Sequence, residues 1–451
     1  MQKNFRALVL LGTLALPVLA VAAGPLSLDE AIHLALTQNP NLRAADRQAQ
    51  AAGARADAAK GAYLPQIGLS YTVRRSDNPL DAFADKLNTR SVTTADFAPQ
   101  SLNYPDPSTI HATRLTLEMP IYTGGRLQAG VQEAGAYADA TRFDYERRQQ
   151  TTVYNTLHAY RAAQAATYAV SIANDAVEAA REHAETTARL VRQGRIVASD
   201  RMTAELSLAT AESLRAQAAN RERLALEQLR LVMGLPATAA LVLPPWENPS
   251  VPAAVPTTAD SEQRALSGRK DLKANEALLT ASRTKITAAR SVFQPQIGVV
   301  AADSWYDDNA ALDNKSQSIM GVISLNLFNG GRDWHGLTAA QRDTEQTELH
   351  LEGMQQAVRG EVRAAASRLT EATARRQIAA QSIEKARETV RLVKQRYGEG
   401  RTILIDLLMA ERVLVEARNE ELTAGLDQEL STAQLQLAEG SLALPGDAPT
   451  Q

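Results

Sequence analysis

The chain of 451 residues reads as a mostly α-helical protein with a small β part, in which one architecture is built twice. Three observations predict this: a block of sequence that recurs at a constant offset, two long spans without proline, and four short segments whose apolar residues alternate with polar ones. With 45% apolar residues, 22% charged residues and a formal net charge of -3, the chain is ordinary for a folded protein. It is too long for one compact core, so two structural units or one elongated one are expected. A near-neutral balance without long runs of one sign gives no electrostatic reason for a nucleic-acid partner.

The first residues place Lys3 and Arg6 ahead of an apolar run from Ala7 to Leu19, followed by Ala20-Val21-Ala22 as a small-residue cleavage site. This pattern predicts a secretory signal peptide over 1–22. A membrane anchor is the competing reading, against which stand the short run and its interruption at Pro17. Beyond it no stretch reaches the ~20 consecutive apolar residues that a spanning helix needs, so any membrane insertion must use strands. The chain has no cysteine, which removes disulfides, thiolate metal sites and an N-terminal lipid anchor.

The segment from Asn41 to Gly68 recurs from Asp271 to Gly298 at an offset of 230, keeping Leu42 with Leu272, Ala44 with Ala274, and Pro65-Gln66-Ile67-Gly68 with Pro295-Gln296-Ile297-Gly298. Further on, Gly124-Gly125-Arg126 answers Gly330-Gly331-Arg332 at an offset of 206, which also pairs Gly194-Arg195 with Gly400-Arg401 and Asp200 with Asp406. Two repeats are therefore expected, 23–242 and 261–442, joined by a proline-rich linker over 243–260 and followed by a flexible tail over 443–451. The drop in offset assigns 24 additional residues to the first repeat. They fall in a stretch rich in Asn, Asp, Ser and Pro that reads as a polar loop.

Period-two alternation predicts strands at about 66–74 and 112–122 in the first repeat and about 296–303 and 317–328 in the second. Ile67, Leu69, Tyr71 and Val73 share one face, as do Leu115, Leu117, Met119 and Ile121, with Arg114, Thr116 and Glu118 opposite. Such hairpins fit a membrane barrel, apolar toward lipid and polar toward the lumen. Four strands cannot close a barrel, so the chain must contribute them to a shared one. Long helices are predicted at about 125–193 and 331–396, roughly 100 Å each, with return helices at about 200–233 and 406–438. Together they form antiparallel coiled-coil hairpins.

In order, spacing and duplication, the marks "YLPQIG", "MPIYTGGR", "LFNGGR" and "RYGEGRTILIDLLMAE" resemble those of the TolC family of outer-membrane efflux and export channels. The resemblance implies a homotrimer whose chains pool their strands into one transmembrane β-barrel in outer-membrane lipid, and whose helices continue into the periplasm as an α-barrel tunnel. In that setting Pro65 and Pro295 mark the passage from tunnel helix to barrel strand, and Gly124-Gly125 and Gly330-Gly331 mark the return.

The helix-to-helix turns would close the tunnel at its periplasmic tip. Three copies of Asp406 around an axis would form a cation-attracting ring. The competing reading of Asp200 and Asp406 is helix capping. Tyr397 matches a family tyrosine that latches the tip, with Asp200 its expected acceptor. Arg401 is one place out of register with the family's arginine, where this chain has Thr402, and Met409 stands in place of a second aspartate.

The six histidines show no ligand spacing and no glycine loop for phosphate appears, so neither a cofactor nor an enzymatic centre is expected. The function expected is a passive exit duct in a tripartite efflux or type I secretion system, driven by an inner-membrane transporter through a periplasmic adaptor. The alternative is a soluble periplasmic coiled-coil scaffold or adaptor, which leaves four strands without a purpose.

Overall fold

The computed structural model describes residues 24–247 and 256–444. The expected signal peptide, the middle of the linker and the end of the tail lie outside them. The two halves repeat element by element. Helices α1 (Leu28–Gln38) and α2 (Pro40–Lys60) lead into strand β1 (Gln66–Ser76), and α3 (Pro79–Asn88) and α4 (Pro99–Asn103) intervene before β2 (Ser108–Tyr122). Helices α5 (Arg126–Arg192) and α6 (Ala198–Met233) complete the first half. The second runs α7 (Thr258–Gly268), α8 (Lys270–Arg290), β3 (Gln296–Asp307), β4 (Asn314–Ser324), α9 (Arg332–Gly398) and α10 (Leu404–Glu439). Both long helices have 67 residues and both return helices 36.

Three expectations are corrected. Residues 77–107 are not a plain polar loop, because Asn78 and Pro79 start α3 and Pro99 starts α4, each proline at a first-turn position where its missing amide proton costs nothing. Strand β4 ends at Ser324, short of the expected 328. The linker's last residues already belong to α7, whose first turn is capped by Thr257. The short helix α1 adds an element not foreseen; its signal was the capping box of Ser27 and Glu30.

Long helices follow from composition, since alanine, glutamate, glutamine and arginine carry little helix cost. The buried stripe of α5 is largely alanine, including Ala129, Ala136, Ala140, Ala163, Ala173 and Ala180. At these alanines neighbouring backbones approach closely. Helix α5 packs on α2 and α8 over one half of its length and on α6 over the other, and α9 packs likewise on α8 and α10. Where these regions meet, α1 and α7 form a collar. Its core holds Tyr160, Leu229 and Met233 on one side and Leu272, Val358 and Val362 on the other, all nearly inaccessible, each contributing about 1.5–3 kcal/mol. Buried Arg269 ties the collar by bonding Asp271 and Glu361 and donating to the Ala438 carbonyl at the end of α10. Glu439 beside it is driven up by burial, yet its bonds to Arg264, Ser261 and Ser441 hold it below the usual carboxylate range.

Candidate functional site: a membrane wall and a helical tip

The four strands form one antiparallel sheet in the order β1-β2-β3-β4, so β2 and β3 join the two halves while β1 and β4 are edges. The register aligns one apolar face across all four strands. Ile67 lies beside Leu117, Leu117 beside Ala301, and Ala301 beside Ile319. The outer two are open, with Ile67 70% and Ile319 82% exposed, and Leu117 and Ala301 between them are half-buried. An apolar band of this kind, on a sheet whose other face is polar, matches the lipid-facing wall of a membrane barrel.

Polar and aromatic groups frame the band. At the end away from the long helices, Tyr71 hydroxyl and His111 Nδ1 share a 2.6 Å hydrogen bond, Lys315 pairs with Asp303 at 3.2 Å, and the same ammonium lies 5.7 Å from the Trp305 ring. At the helical end, Tyr63, Tyr122, Phe328 and Trp334 are exposed, matching the aromatic girdles of membrane barrels. The opposite face carries Ser70, Thr72, Arg74, Arg114, Thr116 and Glu118, with Arg114 Nε donating to Ser304 Oγ at 3.2 Å. It is less polar on β4, where Met320 and Val322 share that face.

At the junctions, α2 and α8 stop at Lys60 and Arg290, and a single 3₁₀ turn follows each before Pro65 and Pro295. The prolines therefore do not end the α-helices directly. They hold Leu64 and Gln294 extended, at ψ 152 and 151, because a following proline ring excludes helical geometry. Gly124, Gly125, Gly330 and Gly331 all have positive φ, between 61 and 88, the left-handed region that glycine enters without penalty.

At the other end, the tip turns close on Gly194 and Gly400, also at positive φ. Asp200 and Asp406 are each the third residue of their helix, and the capping positions belong to Val197 and Ile403. Among the described residues neither carboxylate accepts a backbone amide. Asp406 instead accepts from the Thr402 hydroxyl and is exposed.

Tyr397 is lodged beside Ala184, Ala204, Leu404 and Leu408. Burial first, then the charge of Asp200, raises its hydroxyl above the ordinary value, so the two lie within electrostatic reach without a hydrogen bond. Arg401 is exposed and pairs with Glu399 of its own turn at 3.0 Å. It does not reach the first hairpin.

Sequence reasoning missed what ties the two hairpins together. His183 Nε2 donates to Glu411 Oε1 at 2.8 Å, both largely buried, and Arg418 pairs with Asp175 at 2.9 Å. Partners more than 200 residues apart leave no local signal. Next to them, α5, α6 and α10 enclose a groove of about 610 Å³ lined by Leu206, Leu214, Leu408, Met409 and Leu414.

An open sheet with a lipid-facing side, carried on helical hairpins about 100 Å long, defines a class: a membrane-barrel protein whose wall continues as helices. The sequence profile of the outer membrane efflux protein family matches residues 31–235 and 262–441, and the chain belongs to that family. Alkaline protease secretion protein AprF of Pseudomonas aeruginosa is 23% identical over 425 residues, 92% of this chain and 85% of that protein. Protein CyaE of Bordetella pertussis is 24% identical over 441 residues, 94% and 87% of the two chains. Among solved structures, the CmeC outer membrane channel of Campylobacter jejuni superposes with a TM-score of 0.77 at 17% identity, over 93% of this chain and 87% of that one. The protein is an outer-membrane exit channel of the efflux and secretion class, and not an enzyme. The soluble-scaffold alternative falls with it.

Proposed function

We propose that three copies assemble into one barrel and one tunnel, and that this homotrimer is the passive outer-membrane duct of a tripartite machine, coupled through a periplasmic adaptor to an inner-membrane transporter. The observation that carries the reading is an unmatched half of a repeated interface. Within the chain, the Gly124 turn of the first half is pressed against the helix-to-strand turn of the second, where a Cβ on Gly124 would lie 2.6 Å from Ser291 O and Gln294 Cβ. A Cβ on the corresponding Gly330 would meet nothing within 4 Å, and Tyr63 and Leu64, the counterparts of Phe293 and Gln294, are exposed. A second copy, rotated about a common axis, supplies both missing partners and pairs the β4 edge with the next β1 edge. Closure of the ring then removes every free edge.

The adaptor reading rests on the groove between α6 and α10. Its apolar floor, with Asp175, Arg412 and Arg418 at the margins, suits an amphipathic helix laid along it. Asp406 and Asp200 serve as the gate acids and Tyr397 latches them; Arg401, which pairs with Glu399 in its own turn, would join the gate only by reaching a neighbouring copy. The two junction motifs, Pro65 and Pro295 with the glycine pairs, convert tunnel into barrel. The test of assembly uses the absence of native cysteine. Ser70→Cys is combined in turn with Ser316→Cys, Ser318→Cys or Met320→Cys across the two edges. Oxidation is expected to yield cross-linked species of two and three chains and no more; chains that stay single, or a ladder continuing past three, would contradict the trimer.

A further inference from the structure

The 24 residues that enlarge the first repeat fold against one particular face of the sheet. Asp85 of α3, only 4% exposed, accepts from Arg74 at 2.5 Å and from Ser108 Oγ at 3.2 Å. Asp81 accepts from the other guanidinium nitrogen of Arg74 at 2.6 Å and from Ser76 Oγ at 2.9 Å. Arg74 pairs with Ile110 and Ser76 with Ser108 in the ladder, and Ile110 is even in register with Arg114, so all of these side chains stand on the polar, lumen-facing side. Ile110 and Ala82 of α3 are both buried, at 4% and 3% exposure, whereas Val73 on the lipid-facing side at the same height is 53% exposed.

Helix α3 packs on both β2 and β3, and Arg90 beyond it donates to the Lys315 carbonyl of β4 at 3.1 Å. The segment thus crosses its own wall from the first strand to the fourth, about 14 Å at normal strand spacing. Its own fold is fixed by Asp96, which accepts from Thr93 N at 2.7 Å and from Lys86. This end of the strands is opposite the long helices and therefore faces the exterior.

We propose that residues 77–107 form an inward-folded lid over the barrel mouth, a second constriction at the extracellular end, latched to the lumen wall through Arg74. The proposal rests on the barrel reading above. In the ring, three such lids alternate with the three short β3–β4 turns and narrow the exit from above. Cargo leaving the duct must displace them or pass between them. The latch is made of charge-assisted bonds, strong but few, which suits a contact that opens.

Single cysteines in the full chain, exposed on intact cells to a charged, membrane-impermeant maleimide, test this directly. Ser101→Cys, on the outer surface of the lid, is expected to label fast, and Thr116→Cys, on the lumen wall below it, slowly. Adding Arg74→Gln, or in a second variant replacing 79–103 by a short Gly-Ser turn, is expected to speed Thr116→Cys by about tenfold, because removing charge-assisted bonds shifts the lid toward open. Equal rates at Thr116→Cys with and without the lid, in variants whose native mass is still that of a trimer, would overturn the lid. In the lid-deleted variant, labelling of Leu117→Cys on the lipid face as readily as Thr116→Cys would overturn the barrel reading on which it rests.

Discussion

Asp406 is the residue on which the gate reading turns. In one chain its exposed carboxylate has a single hydroxyl partner, and it donates nothing to the capping of α10 beyond a favourable charge near a helix start. Asp406→Asn keeps a polar group for Thr402 and removes the charge. In channel recordings it is expected to raise the divalent cation concentration for half-block by about tenfold or more, a loss of about 1.4 kcal/mol of attraction, while unchanged block would remove Asp406 from the gate. Asp96 gives a second prediction at this scale. Its bond from Lys86, then its bonds from Thr93, hold its carboxyl at about 2, below the ordinary 3.8. A carboxylate so depressed stabilises the lid fully above 3.8, and the contribution disappears as pH falls through the folded value. Cleavage within 88–104 by an acid-active protease is therefore expected to rise between pH 3.8 and pH 2, and Asp96→Asn to abolish that rise; identical profiles would contradict it.

Among the elements, those specified by backbone demands were the legible ones. Paired glycines that must take positive φ, and prolines that must precede an extended residue, restrict which residue types can stand there, so Gly124-Gly125, Gly330-Gly331, Pro65 and Pro295 repeat through both halves. Helices α3 and α4 were hidden because their prolines and asparagines are also loop residues; only the position of each proline at a first turn tells the two apart. The bond from His183 to Glu411 and the seating of α3 on the polar face of the sheet required the fold itself. The glycine turns also yield a comparison. Gly124→Ala is expected to destabilise the folded chain, since a left-handed backbone costs roughly 1–2 kcal/mol and the new Cβ would collide with Ser291 O at 2.6 Å. Gly330→Ala carries the backbone cost alone within one chain, so its larger effect is expected on trimer yield. Equal loss of thermal stability and equal assembly in the two variants would remove the argument that Gly330 awaits a neighbouring copy.

For the whole molecule, one repeated unit explains both ends. The sheet presents an apolar face to lipid and a polar face to the lumen, and two open edges prevent the chain from completing its own barrel. The hairpins carry the wall onward about 100 Å to tip turns where acids, a half-buried tyrosine and an apolar groove gather. Helix spans, strand faces and duplication were readable because period and proline content report them over tens of residues. The lid and the ties between hairpins were not, because they depend on which surfaces meet. The central claim, that this chain builds a conduit through the outer membrane, is tested most directly by recording the purified, detergent-extracted protein in a planar lipid bilayer over a range of divalent cation concentrations. Small discrete conductance steps that divalent cations block are the predicted result. Absence of steps, from protein that also stays in solution without detergent, would contradict the account.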